Sequence, residues 1–371
     1  MARDVCIPVI MYHCVNDALE ASPHGRLGFT PGQFRAHLRW LRGRGYDLVS
    51  VSELWNWLLA GAPTGLRPAV ITFDDGFRDN LTVAAPIMCD LDARGTVFAN
   101  PDVTPDSGGS AGSGPWGYLS RAEIRELADG GILEIQSHTW DHLRVFTGPQ
   151  VVDAYDRSRF DELWWLVWLV RPELRRQWDG DVRRHAGAVP DGYPVFANGR
   201  HLVSRRFEPS ATFVERCIAG HAEGRSAIGT HDPEGVLEAP AEYEARCRHS
   251  LAESRSVLAG WAGRPVEHLC FPGGAYDEQL LRWAAAAGYR TYMLSSREQG
   301  RNDASLLQAV QRGGAYPVGL KRLSLTQDYP TWLRTPLVAR WVAAFKIGAL
   351  EGLPWARHGH LVLRRIRDLL P

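Results

Sequence analysis

The sequence has no excess of charge of either sign and almost no lysine. Its 371 residues include 42 Lys+Arg and 42 Asp+Glu, so the formal net charge at pH 7 is zero. Lys321 and Lys346 are the only lysines, and nearly all of the positive charge is therefore arginine. Nucleic-acid binding relies on a basic excess that releases counterions, so this balance argues against a nucleic-acid-binding protein. A hydrophobic fraction of 45% excludes dominant disorder and indicates a globular protein.

Long apolar runs and paired cysteines are also missing. The best candidate for a membrane span, residues 163–170, has only eight residues, whereas a spanning helix needs about 20. The N-terminal apolar stretch at residues 5–12 is too short for a signal peptide and indicates a buried strand. The six cysteines contain no CxxC pair, so neither a zinc ribbon nor a dense disulfide framework is expected. These features predict a cytoplasmic protein with reduced thiols.

Strand and helix patterns alternate at both ends of the chain. Apolar segments typical of buried strands are separated by segments with helical spacing, as in residues 31–44, where Phe34, Leu38 and Leu41 share one face. The predicted strands are residues 5–12, 46–51, 69–73, 95–100, 133–137, 266–271 and 289–294. Such alternation indicates parallel βαβ units and an α/β protein. It is interrupted between residues 147 and 240, which we interpret as an insertion packed on the rim of the main domain.

Two clusters of polar residues directly follow predicted strands. Adjacent carboxylates at Asp74 and Asp75 are costly if both are buried and charged, and a nearby cation would remove that cost. If residues 138–142 are helical, His138 and His142 lie on one face, close enough to share a metal ion. Taken alone, the first cluster also fits an ordinary capping turn and the second fits two unrelated polar residues. Together they supply two histidines and one carboxylate, an arrangement that leaves open coordination positions for water and substrate.

A third cluster, residues 271–277 (FPGGAYD), follows the strand predicted at residues 266–271. Glycine after a strand lets a backbone N–H approach a substrate closely, where it can stabilise an oxyanion. An ordinary strand-to-helix turn with Asp277 as the helix cap is the simpler interpretation of this cluster taken alone.

The order of these motifs resembles the polysaccharide deacetylases of carbohydrate esterase family four, the NodB-homology proteins. TFDDG comes first, HTxxH second, and a strand ending in FPxG third, and the resemblance covers residues 5–146 and 241–320. Residues 11–13 (MYH) and 45–50 (GYDLVS) carry at the N-terminus a pattern that the family usually has near its C-terminus. The chain therefore resembles the circularly permuted branch, which includes poly-N-acetylglucosamine deacetylases. The resemblance implies a distorted, circularly permuted (β/α) barrel of seven or eight strands, here with a large insertion and a C-terminal helical tail.

The resemblance also implies a role for each polar residue of the motifs. Asp75, His138 and His142 would bind a divalent metal, with zinc expected first and Co²⁺, Ni²⁺ or Fe²⁺ as alternatives. Asp74 would be the general base and His13 the general acid. A bound cation can lower the pKa of its water from 15.7 to about 7, so water would be the nucleophile and no covalent serine or cysteine would be needed.

Two positions depart from the family pattern. Cys270 stands where the family usually has an arginine that orients the base, and Gly273 stands where an aromatic residue usually follows the proline. The backbone N–H of Gly273 remains as an oxyanion donor, but one side of the usual polymer-binding groove is lost. The expected function is metal-dependent de-N-acylation, first of all deacetylation, of an amino sugar in a polysaccharide, glycolipid or glycoconjugate precursor. The alternatives are an inactive carbohydrate-binding barrel and an amidohydrolase acting on a small non-sugar amide or formamide.

The sequence divides into three predicted parts. Residues 1–146 and 241–325 would form the barrel, and residues 147–240 an insertion that could cap the substrate. Residues 326–371 would form a basic amphipathic tail, of which residues 334–371 contain seven basic residues against two acids. Such a tail fits contact with an anionic membrane surface, and a helix packed on the barrel explains it equally well.

Three further segments have two interpretations each. The tryptophan-rich residues 163–170 are expected to form the packed core of the insertion, or to stack on sugar rings. His231 is a rival general acid or lies in a surface turn. The Gly-, Ser- and Pro-rich residues 101–117 form a loop that is either a lid or a flexible linkage.

Overall fold

Thirteen strands and eleven α-helices make up the described part of the chain in the computed structural model. The structure describes residues 6–106, 116–176, 178, 180–294, 298, 301–325, 335–356 and 358–359. The strands are β1 (Val9–Tyr12), β2 (Asp47–Val49), β3 (Pro68–Phe73), β4 (Gly95–Ala99), β5 (Leu133–Ser137), β6 (Arg144–Ala154), β7 (Pro194–Arg200), β8 (Phe207–Glu208), β9 (Val236–Leu237), β10 (His268–Cys270), β11 (Thr291–Met293), β12 (Val318–Leu320) and β13 (Leu323–Ser324). The helices are α1 (Pro31–Gly43), α2 (Val51–Leu59), α3 (Ala85–Asp90), α4 (Arg121–Gly130), α5 (Phe160–Val170), α6 (Glu173–Arg176), α7 (Ala211–Ala222), α8 (Pro240–Ala262), α9 (Glu278–Ala286), α10 (Ala304–Arg312) and α11 (Pro336–Leu350).

The main sheet is parallel and curls into a barrel. Its strand order is β12-β11-β10-β5-β4-β3-β1-β13, and β2 pairs with the start of β3. β12 pairs with β11, and only two residues later β13 pairs with β1, so a single stretch of chain joins the two ends of the sheet. With β12 and β13 counted as one stretch, the sheet has eight strands, which confirms the predicted (β/α) barrel.

The first strand of the chain lies beside the last. β1 pairs with β3 on one side and with β13 on the other, and all three strands run in parallel. This neighbourhood is what a circular permutation of a closed barrel requires. Every residue of β3 is buried, since helices cover parallel sheets on the outside and side chains fill the inside.

Capping residues explain where several barrel helices begin. Thr30, Ser50 and Ser120 each accept a hydrogen bond from the backbone N–H three residues later, and a Gln or Glu at that third position bonds back. These capping boxes satisfy backbone donors that the first helical turn leaves unpaired. They place the starts of α1, α2 and α4 within one residue of the predicted starts.

One predicted helix is shorter than expected. The pattern predicted a helix over residues 81–94, but the structure has a π-helical turn at Asn80–Ala84 followed by α3, which ends at Asp90. The physical reason is Pro86, which has no backbone N–H and would clash with the carbonyl of residue 82 in a continuous α-helix. The wider turn before α3 accommodates that proline.

Residues 147–240 share an apolar cluster with the barrel rim. β6 pairs with β7 in an antiparallel hairpin that starts at Arg144, slightly before the predicted boundary. Phe77 and Tyr118 of the rim pack in one cluster with Trp168, Trp178 and other buried side chains of this region. β6, β7 and α5 therefore lie over the rim where the strands of the barrel end.

The described part of the predicted tail is the helix α11, which packs on the outside of α1. Glu351, just after α11, is almost fully buried and accepts hydrogen bonds from Arg44, Tyr46 and Arg67. Residues 326–334 and 361–371 of the tail, and residues 107–115 of the predicted loop, lie outside the described residues. None of the described helices is both long enough and apolar enough to span a bilayer.

Candidate metal centre and active site

The candidate site lies at the edge where the parallel strands end. Since parallel strands all end on the same rim, residues that directly follow them converge there even when they are far apart in sequence. These residues line one cavity of about 690 Å³, together with side chains of the region that covers the rim. The lining residues that follow barrel strands are His13, Asp74, Asp75, His138, His142, Gly273 and Arg322.

Asp75, His138 and His142 form a compact cluster. The Oδ1 atom of Asp75 lies 3.3 Å from Nε2 of His138 and 3.5 Å from Nε2 of His142. The two histidines do not lie on a helix, since residues 138–143 form a loop in which Thr139 and His142 have φ values of 65° and 51°. Asp75 also has a left-handed φ of 74°. Such conformations are costly for residues other than glycine and are concentrated at functional sites.

The hydrogen-bonding pattern of His138 fits a metal ligand. Its Nδ1 lies 2.7 Å from the carbonyl oxygen of Cys270, which can only accept, so Nδ1 carries a proton. In the neutral ring, Nε2 then points its lone pair toward the Asp75 carboxylate, and two acceptors face each other unless a cation or a second proton lies between them. Burial would lower the pKa of His138, but the neighbouring Cys270 and Asp75 raise it well above its ordinary value.

The chemistry of the donors therefore fits a divalent metal. The three ligand atoms lie within 4.8 Å of one another, and burial lowers the pKa of His142 to about 3, so this ring is neutral and can coordinate. A second group, Asp74, His138 and Cys270, is equally compact. It fits less well, because burial raises the pKa of the Cys270 thiol and Asp74 is already paired with a guanidinium group.

The partner of Asp74 is Arg322, a residue that the sequence analysis did not identify. Nη1 of Arg322 donates to both carboxylate oxygens of Asp74, at 2.7 and 2.9 Å, and both side chains are buried. Burial would raise the pKa of Asp74, but the Arg322 guanidinium holds it below its ordinary value, so the carboxylate stays ionised. Cys270 occupies the position where the family usually has an arginine. Arg322, which lies between β12 and β13, supplies a guanidinium group instead. The available indication was a basic pair directly after a short apolar segment at residues 318–320.

A buried network fixes the loop that carries His13. Nδ2 of Asn80 donates to the His13 carbonyl oxygen at 2.9 Å and to Asp79 at 3.0 Å. Asp79 also accepts from the Val15 backbone N–H and from the Asn16 side chain. Burial raises the pKa of Asp79 to about 7. The network leaves the His13 ring facing the cavity, where its buried Nδ1 has no hydrogen-bond partner among the described residues.

His231, the rival general acid, lies elsewhere. Its side chain is exposed, its backbone forms a bridge with Gln150, and it is not among the residues that line the cavity. The cavity therefore contains His13 and not His231, in agreement with the surface turn expected for His231. Asp277 caps α9 by accepting from the backbone N–H of Leu280.

An arginine takes the space beside Gly273 that an aromatic side chain would need. Gly273 lines the cavity with a left-handed φ of 58°, and a Cβ atom added there would lie 1.7 Å from Nη1 of Arg200. A larger residue at position 273 would therefore be strained at this φ and would require the Arg200 side chain, which ends β7, to move. The side of the groove that the sequence lacks at Gly273 is thus supplied by the region that covers the rim, and it is cationic.

The helix α5 contributes a tryptophan-rich side to the same cavity. Trp164, Trp165 and Trp168 all line it, while Trp168 also belongs to the apolar cluster under the covering region. The guanidinium of Arg144 lies over the Trp165 ring, 4.6 Å from its centroid. One face of residues 163–170 therefore packs inward, as expected, while stacking of the cavity-facing rings on a sugar stays a prediction.

A family profile matches the part of the chain that supplies most of the cluster at the barrel rim. Residues 61–160 match the profile of the family described as polysaccharide deacetylase. This segment contains Asp74, Asp75, His138 and His142, so the chain carries a polysaccharide deacetylase domain.

Two curated relatives are similar over the same part of the chain. YxkH of Bacillus subtilis (strain 168), named polysaccharide deacetylase, is 30% identical over 139 residues, which are 38% of this chain and 44% of that protein. The poly-beta-1,6-N-acetyl-D-glucosamine N-deacetylase of Escherichia coli (strain K12) is 27% identical over 138 residues, 36% of this chain and 20% of that protein. The chain thus spans less than half the length of either relative.

Two solved structures share the fold. The de-N-acetylase from Aggregatibacter actinomycetemcomitans has a TM-score of 0.53 at 16% identity, covering 86% of this chain and 95% of that one. The BpsB deacetylase domain from Bordetella bronchiseptica has a TM-score of 0.51 at 18% identity, covering 87% and 98%. At such low identity these similarities support the fold alone.

Proposed function

We propose that the protein is a metal-dependent hydrolase that removes an N-acyl group, first of all acetyl, from an amino sugar in a polysaccharide, glycolipid or glycoconjugate precursor. The observation that carries the proposal is the Asp75, His138 and His142 cluster beside an ionised, arginine-paired Asp74. A divalent metal bound by the cluster, with zinc expected first, would supply Lewis-acid activation of water and of the amide carbonyl.

The remaining roles belong to side chains and one backbone group. Asp74 would accept the proton of the attacking water, and Arg322 would keep Asp74 ionised for that purpose. The backbone N–H of Gly273 would donate to the oxyanion that forms on the former carbonyl oxygen. His13 would donate a proton to the leaving amine, which departs poorly as an anion.

The alternative of an inactive carbohydrate-binding barrel loses its main support. It rested on Cys270, which replaces the arginine expected to orient the base. Arg322 contacts Asp74 through both carboxylate oxygens and supplies the same cation from a different strand. An amidohydrolase for a small non-sugar amide remains the competing substrate class, and substrate comparison separates the two.

The test is acetate release from N-acetylglucosamine oligomers, together with the metal content of the purified protein. We expect a chelator to abolish release, zinc to restore it, and His138→Ala to lower bound metal below one ion per chain. Asp74→Asn and His13→Ala should lose activity while keeping the metal, and His231→Ala is the matched control that keeps both. Full activity in Asp74→Asn and in His138→Ala would overturn the proposal.

We also propose that α11 and the tail contact an anionic membrane surface from the cytoplasmic side. The described support is a face of α11 and the turn after it that exposes Leu337, Trp341 and Trp355, with Arg39 and Arg340 nearby. Tryptophan at a lipid interface and arginine near anionic headgroups favour such contact. The double variant Trp341→Ala/Arg340→Gln should bind phosphatidylglycerol vesicles less in sedimentation assays. Undiminished binding of that variant would refute this contact.

A further inference from the structure

The cavity at the barrel rim contains more positive charge than the proposed hydrolysis uses. Its lining residues include four guanidinium groups (Arg144, Arg175, Arg200 and Arg322) and two carboxylates (Asp74 and Asp75), a formal charge of 4 − 2 = +2. Arg322 neutralises Asp74, and the metal cluster engages Asp75. The hydrolysis therefore assigns no role to Arg144 or Arg175, in a protein whose net charge is zero.

Arg175 is the more unusual of the two because it is buried. Only 3% of the residue is exposed, and its hydrogen bonds go to the Tyr118 hydroxyl and the Asp141 carbonyl oxygen, which are both uncharged. Its guanidinium also lies 5.3 Å from the centroid of the Trp168 ring. In the described residues no carboxylate lies within ion-pair distance of Arg175. Burial would lower the pKa of Arg175, and the more distant Asp75 and Asp141 carboxylates help to raise it, but none of the carboxylates described makes a direct ion pair with it. An anion in the cavity would supply that direct partner.

Arg144 and Arg200 extend the cationic surface across the cavity. They lie opposite each other on two antiparallel strands, since Arg144 of β6 is the register partner of Arg200 of β7. Arg144 is stacked on Trp165, and Arg200 lies against Gly273, next to the proposed oxyanion donor. Stacking on an aromatic ring holds a guanidinium flat and leaves its edge free to bind an oxyanion through two hydrogen bonds.

We propose that this cavity selects an amino sugar that carries an oxyanion, either a phosphate or a carboxylate, and binds that group through Arg144 and Arg175. The inference rests on the proposed function for the identity of the reacting amide. The binding of the anion does not depend on the proposed function. The cavity volume of about 690 Å³ is in the range of small-molecule sites, which suits one sugar unit with its charged substituent. The tryptophans of α5 supply aromatic faces for the apolar side of the sugar ring.

Binding of three sugars to the metal-loaded His13→Ala protein, measured by titration calorimetry, tests this selection. The probes are N-acetylglucosamine 1-phosphate, N-acetylmuramic acid and the neutral methyl glycoside of N-acetylglucosamine. We expect one or both anionic sugars to bind at least tenfold more tightly than the neutral sugar, and this ratio to shrink with added salt. The tighter of the two anionic sugars identifies phosphate or carboxylate as the group selected.

Arginine variants in the same background identify the groups responsible. Arg144→Gln and Arg175→Gln should each lower the ratio of anionic to neutral affinity about tenfold, because charge-assisted hydrogen bonds are the strong class. Arg121→Gln is the matched control, since Arg121 is stacked 4.8 Å over Trp261 but lies outside the cavity. Arg144 is exposed, so its variant keeps the test decisive if the buried Arg175 variant does not fold.

The outcomes separate this inference from the proposed function. Equal affinity for neutral and anionic sugars, or a preference that persists in both arginine variants, overturns the selection even if acetate is released. In another outcome, the unsubstituted protein binds with an arginine-dependent preference yet releases acetate from none of the sugars. That result supports the selection and overturns the proposed hydrolysis.

Discussion

Replacing Arg322 with methionine would leave the Asp74 carboxylate buried without its counterion. The Nη1–Oδ1 distance is 2.7 Å and the two side chains are only 4% and 5% exposed. At an effective dielectric constant of about 20, a pair at this distance attracts by about 6 kcal/mol, and the desolvation of both groups offsets part of this attraction. We expect Arg322→Met to lower the free energy of unfolding by about 3–5 kcal/mol, the usual cost of removing one partner of a buried pair.

A double-mutant cycle measured by urea unfolding in the presence of a chelator checks this value. Asp74→Asn alone should also be costly, whereas Asp74→Asn with Arg322→Met should recover much of the loss, since no unpaired charge remains. The exposed pair Arg282 and Glu278 is the control, and Arg282→Met should cost less than about 1 kcal/mol. A cost for Arg322→Met as small as that of the control, or strictly additive single changes, would show that the pair does not balance a buried charge.

Two further changes probe the surroundings of the site. Because burial raises the pKa of Asp79 from 3.8 to about 7, the folded state holds a proton that the unfolded state releases, and stability falls as pH rises from about 4 to about 7. Asp79→Asn should remove this loss, about 4 kcal/mol at most, and parallel pH profiles of unfolding free energy for the two proteins would contradict it. Gly273→Ala should lower the rate of acetate release, since its Cβ meets Arg200, and Arg200→Ala should restore part of it. If Arg200→Ala restores nothing, the collision is not the cause.

The convergence of the motif residues could be predicted from the sequence because it depends on the topology alone. Asp75 and His138 each follow a buried parallel strand, and β3, β4 and β5 are neighbours in the sheet. Spacing alone cannot distinguish a helix across His138 and His142 from a left-handed turn, since both bring the two rings together. The spacing therefore predicted that the two rings lie close together, but it did not predict the backbone conformation between them.

The arginines of the site could not be identified in advance for a different reason. Arginine supplies nearly all of the positive charge, so no single arginine stands out in the sequence. Arg322 reaches Asp74 because it lies between β12, which pairs with β11, and β13, which pairs with β1. Arg200 reaches Gly273 because β6 and β7 fold over the rim. Both contacts depend on long-range packing, for which local periodicity provides no information.

The stretch from β12 to β13 couples the base to the closure of the sheet. The residues of the candidate metal cluster all lie within the first 142 residues, whereas the cation beside the base is residue 322. Arg322 lies between the strand that pairs with β11 and the strand that pairs with β1, so it reaches Asp74 only where the two ends of the sheet meet. Closure of the barrel and completion of the ion pair beside the base are therefore the same event.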